Sequence, residues 1–198
     1  LYALIYDSRL KFRRHILIGI VVLYVFQFLN FANIYFFRNP IYNSEAFNFS
    51  SRILSKYLSL QKGEVHVVNG TPATPLKHYI FYTNSLNNNT TENIKEIFKT
   101  KKFEYDNLKF VDCRNLNASS NSLVVFDAGV KCENIFSYKN YLSIPLLGDG
   151  GEVLRIVNDT TCSKYKLKRY PQNLTLKDFE IEKLNEKDFC EKFIINYF

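Results

Sequence analysis

Between residues 16 and 37 the chain carries no Asp, Glu, Lys or Arg, and most signatures of familiar chemistry are missing elsewhere. There is no Asp-x-Asp pair, which removes the paired carboxylates that often grip a divalent cation in enzymes using nucleotide sugars. The three histidines, His15, His66 and His78, are isolated, and none has a Ser or Cys nucleophile beside it by motif, so no triad is assigned. The four cysteines are widely spaced with no His near them, which argues against the close Cys pairs of a zinc site. The segment Gly148-Asp149-Gly150-Gly151-Glu152 lacks the spacing and the lysine of a phosphate loop and reads as a turn. No internal repeat is visible. The sequence therefore names no reaction and no cofactor.

The charge-free stretch is itself the strongest positive signal. As a helix its 22 residues reach about 33 Å, enough to cross the hydrocarbon layer. Fifteen of the 22 are Ile, Leu, Val or Phe, and together they favour insertion by about 6 kcal/mol. Gln27, Asn30 and Asn33 offset part of this, and all three lie in the second half, toward the interface. Arg9, Lys11, Arg13 and Arg14 precede the segment, whereas Arg38 alone follows closely. Positive residues stay on the cytoplasmic side, so residues 1–15 read as a cytosolic tail and everything after Arg38 as luminal or extracellular. Two other readings compete: a signal peptide cleaved near Asn30-Phe31-Ala32, and a core helix buried on every side. The first residue is Leu1, and a segment upstream of it would alter the topology.

Asn-x-Ser/Thr sequons occur at Asn48, Asn69, Asn88, Asn89, Asn117, Asn158 and Asn173, and none precedes the span. About two are expected by chance from the Asn, Ser and Thr content, so the excess points to glycosylation in the secretory lumen. Asn69 is weakened by Pro72, and Asn88 and Asn89 overlap. Cys113, Cys132, Cys162 and Cys190 all lie on the same side of the span. An even count in an oxidising compartment reads as two disulfides, with three pairings open, against the alternative of free buried thiols. The net charge is +7 and the pI about 9.1, but the charges are scattered among acids, and a luminal location argues against nucleic acid as a partner. The densest basic run, Lys164-Tyr165-Lys166-Leu167-Lys168-Arg169, alternates as an exposed strand does. It reads as a solvated edge or as a contact for acidic glycans or anionic headgroups.

Residues 38–76 read as a stem or tether. They open on Arg38-Asn39-Pro40 and close on Asn69-Gly70-Thr71-Pro72-Ala73-Thr74-Pro75, and the prolines favour extended backbone. Within them, Ile53, Leu54, Tyr57, Leu58 and Leu60 fit a short amphipathic helix over 51–60, and 65–68 a brief strand. From residue 77 the pattern becomes a small luminal α/β domain, 77–198. Strands are expected over 78–83, 108–111, 122–126 and 152–157, the third of these central, and a helix is expected where Ile94, Ile97 and Phe98 share one face. Thr175-Leu176-Lys177-Asp178 resembles a cap opening a helical run to about Phe198. That run ends on apolar residues, as though cut before the next element. Asp127, directly after an apolar strand, stands where open α/β sheets bind ligands, and otherwise reads as a turn residue before Ala128-Gly129.

A short basic tail, one signal anchor, a proline-bearing tether and a glycosylated, disulfide-bearing luminal domain resemble the layout of type II Golgi glycosyltransferases. Cys132-Glu133-Asn134-Ile135-Phe136 and Asp188-Phe189-Cys190-Glu191-Lys192-Phe193 resemble the Cys-bearing stem segments of core-2/I-branching N-acetylglucosaminyltransferases. The resemblance implies a Golgi membrane location and transfer of a sugar from a nucleotide donor to a glycan acceptor, those two molecules being its partners. It also implies that this chain is anchor, stem and first luminal elements, with the enzyme core after Phe198. The alternative is a non-enzymatic single-pass membrane glycoprotein, an adhesion or receptor ectodomain.

Overall fold

A computed structural model describes residues 13–38, 49–119, 121–130, 132, 141–145, 151–170, 178 and 180–196. The tail before residue 13, Asn48, Asn173, the turn at 148–150 and the cap at 175–177 lie outside them. The chain divides into two compact units, Leu1–Tyr42 and Asn43–Phe198.

The first unit holds helix α1, Arg13–Asn33, which continues as a π-helical turn, Ile34–Arg38. It has no preferred apolar side, because nearly every position is apolar. The stretch His15–Phe36 is long and apolar enough to cross a membrane, and none of its most apolar window is buried. A soluble core helix hides at least one face; this one hides none. Near its end Phe31 stacks on Tyr35, and Tyr35 meets Phe36 edge to face, the aromatic concentration found at a bilayer boundary.

The second unit is a mixed α/β domain. It contains α2 (Phe49–Ser59), β1 (Val65–Val68), α3 (Ala73–Tyr82), α4 (Thr91–Thr100), β2 (Glu104–Tyr105), β3 (Leu108–Val111) and β4 (Leu123–Asp127). β5 (Leu142–Pro145), β6 (Glu152–Val157), α5 (Glu186–Phe193) and β7 (Ile195–Asn196) complete it. The sheet order is β2-β3-β1-β4-β6-β5-β7. β3 and β4 flank β1 in parallel, with Val65 opposite both Leu108 and Leu123. The pairs β4–β6, β6–β5 and β5–β7 are antiparallel. β4 is central, as its apolar run Leu123-Val124-Val125-Phe126 predicts.

Side chains alternate across the sheet. Val65 and Val67 enter a large core cluster with Leu108, Phe110, Val125, Ile144 and Ile156. The helices cover this face: Ile53, Tyr57 and Leu58 from α2, Leu76 and Ile80 from α3, Ile94 and Ile97 from α4, and Phe189 and Phe193 from α5. Val68, Val124, Phe126 and Val157 form a smaller cluster on the other face, with Leu116, Ala118 and Val130 from irregular segments. The topology accounts for the split. From β1 the chain steps to β3 through α3 and α4, then reverses over β1 to β4. Right-handed crossovers put opposite steps on opposite faces.

Three expectations are corrected. Residues 38–76 are not a tether as a whole: α2 and β1 are core, β1 lies beside the centre of the sheet, and the division between units falls at Tyr42. The amphipathic face of α2 is what draws it in. Residues 78–83 are not a strand but the body and end of α3, with Leu76, Tyr79 and Ile80 inward and Phe81 75% exposed. Pro72 and Pro75 stand at the helix start, where amide hydrogens have no intrahelical partner and a proline costs nothing. The last helix does not run to Phe198. α5 starts after Asn185, whose side chain caps it by accepting from the Asp188 amide at 2.9 Å, and ends at Phe193, where the chain joins the sheet.

Candidate functional site

In an open parallel sheet the ligand crevice lies at the carboxyl ends of the strands, where the strand order reverses. Here that point is between β1 and β4. Val68 is opposite Phe126, so the turn Asn69-Gly70-Thr71-Pro72 that opens α3 lies beside Asp127. On the other side of β1, β3 ends at Val111 and Asp112 follows it.

Each of the three polar residues already has a local task. The Asn69 side-chain oxygen accepts from the Thr71 amide at 2.8 Å. Asp112 accepts from the amides of Arg114 at 3.0 Å and Asn115 at 2.9 Å, capping the 3-10 turn Cys113–Asn115. Asp127 accepts from the Gly129 amide at 2.8 Å, which makes it the turn residue that its sequence context predicts. A side chain at Gly129 would start 3.3 Å from that carboxylate. Cys113 and Cys132 are bonded to each other at this edge. Among the described residues no group of three His, Cys, Asp or Glu side chains could hold a metal.

The opposite, amino-terminal edge carries a cleft of about 500 Å³ lined by Gln61, Lys62, Glu64, Ser122, Asn158 and Lys164 among others. A second cleft of about 350 Å³ contains Tyr141, Leu142, Ile156 and Asp159. Asn158 lines both, so a glycan on this sequon would occupy their shared rim. Asn158 is exposed, has a left-handed backbone at φ 59° and donates to the Ser122 carbonyl at 3.0 Å. Asn88, Asn89 and Asn117 are exposed as well, and Asn69 is half-buried.

His66, on β1, is 2% exposed. Its Nε2 lies 2.8 Å from Glu64, which also holds Lys109 at 3.1 Å. The Lys109 ammonium, and secondarily His66, keep the Glu64 carboxyl below its usual range against the opposing effect of burial. His66 Nδ1 is buried with no hydrogen-bond partner among the described residues. His78, by contrast, is half-buried on α3, its ring 6.2 Å from that of Tyr82.

The polar centre that sequence reasoning missed is Asp159. It accepts from the Tyr57 hydroxyl and from the amides of Cys162 at 2.7 Å and Ser163 at 2.6 Å. Burial, followed by the Asp159 charge and hydrogen bond, pushes the Tyr57 phenol well up. Asp159 thus ties α2 to the turn that carries Cys162, whose disulfide to Cys190 anchors α5. Both disulfides are present and the described cysteines include no free thiol, which settles the pairing left open by spacing. The basic run 164–169 has its charges outward and Tyr165 and Leu167 packed on the core, but it makes a single bridge, Lys168 to Ile195, instead of a strand. Lys164 pairs with Glu186 at 2.6 Å.

The helix and the disulfides together point to a membrane or secreted protein with a mixed α/β domain. No family model, no curated protein and no solved structure matches the chain.

Proposed function

We propose that this chain is the anchor and first folded part of a Golgi-type glycosyltransferase, which moves a sugar from a nucleotide donor to a glycan acceptor. The observation that carries the reading is the reversal of strand order at β1. It sets the Asn69–Pro72 turn and the start of α3 beside Asp127, the position at which α/β sheets receive the diphosphate of a nucleotide. The span, the sequons and the disulfides are those of a protein held on the luminal side of a secretory membrane.

A second reading is favoured by a different observation. Asn69, Asp112 and Asp127 are each engaged by their own turns, and glycine stands at 129, where a second acid would complete a cation grip. A non-enzymatic membrane glycoprotein would need no more than this. One experiment separates the two. The full chain in detergent micelles is titrated with UDP- and GDP-sugars by saturation-transfer NMR. The transferase reading expects binding of one donor, weakened about tenfold or more by Asp127→Asn, the loss of one charge-assisted contact. A folded chain that binds neither donor supports the glycoprotein reading.

A further inference from the structure

We propose that two copies of this chain pair side by side through α1, along a seam of Ile16, Ile20, Leu23, Gln27, Asn30 and Ile34. The proposal rests on the reading of α1 as a membrane span. These residues recur at alternating intervals of four and three, the heptad spacing that keeps one stripe of a helix facing its partner in a left-handed pair. Along such a seam Ile20 takes the position where β-branched residues favour two-stranded parallel pairs, and Leu23 the position that follows it. Copies inserted by the same flanking charges are parallel by construction.

The two amides give the seam its chemistry. Gln27 lies about 2 Å from the middle of the span and Asn30 about 7 Å, taking the span as His15–Phe36. The hydrocarbon half-thickness is about 15 Å, so Gln27, although in the second half of the span, stands too near the centre to bring its amide to the interface, contrary to the expectation from sequence. Both side chains are exposed on the helix. An amide in hydrocarbon needs a hydrogen-bonding partner, and polar side chains there act as contacts between helices. A second copy supplies the same groups at the same depth. Each amide both donates and accepts, so the stripe is complementary to itself under two-fold symmetry. Asn33 flanks the seam and is also exposed. The amides fall in the two inward positions of one heptad, whereas the opposite side, at Val22 and Val25, is purely apolar.

The test uses the full chain, labelled at its N-terminus with donor or acceptor fluorophores and reconstituted in phosphatidylcholine vesicles at low protein-to-lipid ratio. Retention of the chain by the vesicles in alkaline carbonate is measured first. The proposal expects energy transfer above random proximity. The double variant Gln27→Leu with Asn30→Leu, which inserts at least as well, should associate roughly tenfold or more weakly. The exchange Gln27→Asn with Asn30→Gln keeps the amides and should preserve association, and Val25→Leu should leave it unchanged. A chain retained by the membrane but monomeric overturns the pairing alone, and so does association insensitive to the leucine substitutions. A chain released by carbonate overturns the span reading and the pairing with it.

Discussion

On one face of the sheet four helices press Tyr57, Leu76, Ile97, Phe189 and Phe193 against Val65, Leu108 and Ile156, and the Cys162–Cys190 bond is fully buried among them. The other face has a handful of apolar side chains under irregular segments, the Cys113–Cys132 bond and several polar side chains. There Glu64 lies between Lys109 and His66 at the amino-terminal ends of β1 and β3, and Tyr141 donates to Glu152 and lies 4.9 Å beneath Arg155. The domain thus divides its labour. Burial stabilises from the helical side, while Lys109, Glu64 and Arg155 stay partly exposed on the thinly covered side.

Removing the disulfides tests this contrast with the largest expected effect. Loop-closure entropy alone treats them nearly alike, at about 3.5 kcal/mol for the separation of 28 and about 3 for that of 19. If the helical face holds the fold, Cys162→Ala with Cys190→Ala costs about 4–5 kcal/mol, because buried packing is lost as well. Cys113→Ala with Cys132→Ala stays near 3. Urea unfolding of the two variants reads the difference, and equal losses would erase the contrast. Next come two phenylalanines of the same chemistry. Phe193→Ala is expected to cost about 4–5 kcal/mol and Phe126→Ala about 3, measured the same way. The reverse order would place the main core on the wrong face.

Asp159→Asn is expected to cost about 1–3 kcal/mol, since three donors face a poorer acceptor. A thermal shift no larger than that of an exposed Asp→Asn control would remove its role as a tie. The smallest effect is electrostatic. Burial pushes Glu182 up, but Arg52, which holds it through contacts of 2.9 and 3.0 Å, outweighs this and keeps it below its usual 4.5. A lowered folded value means that the unfolded chain takes up the proton first as pH falls. The pair therefore stabilises fully above the usual range, and its contribution is lost as pH drops through the folded value. Both groups are partly exposed, so the contribution is at most about 1 kcal/mol. Glu182→Gln should flatten stability against pH only in that acid window. A change at neutral slope instead would contradict the assignment.

Much of the sheet was legible because buried parallel strands read as continuous β-branched runs, as at Val65-His66-Val67-Val68 and Leu123-Val124-Val125-Phe126. α2 and α4 were legible from helical spacing. The segment from His78 to Tyr82 was not, because aromatic residues suit either state and only packing decides which of them point inward. Pro72 and Pro75 read as extended backbone, although a helix start accepts them equally. The disulfide pairing and the Tyr57–Asp159 contact, 102 residues apart in sequence, depend on which elements the fold brings together, and no local pattern encodes that. Asp127 was legible as a turn residue because its task is local.

The proposed placement of the folded unit on the oxidising, glycosylating side of a membrane is tested most directly by peptide mapping of the chain from secretory-competent cells, with and without peptide N-glycosidase and without reduction. That placement predicts conversion of Asn to Asp at one or more of Asn88, Asn89, Asn117 and Asn158, with Cys113 joined to Cys132 and Cys162 to Cys190. Unmodified asparagines with four free thiols would contradict it.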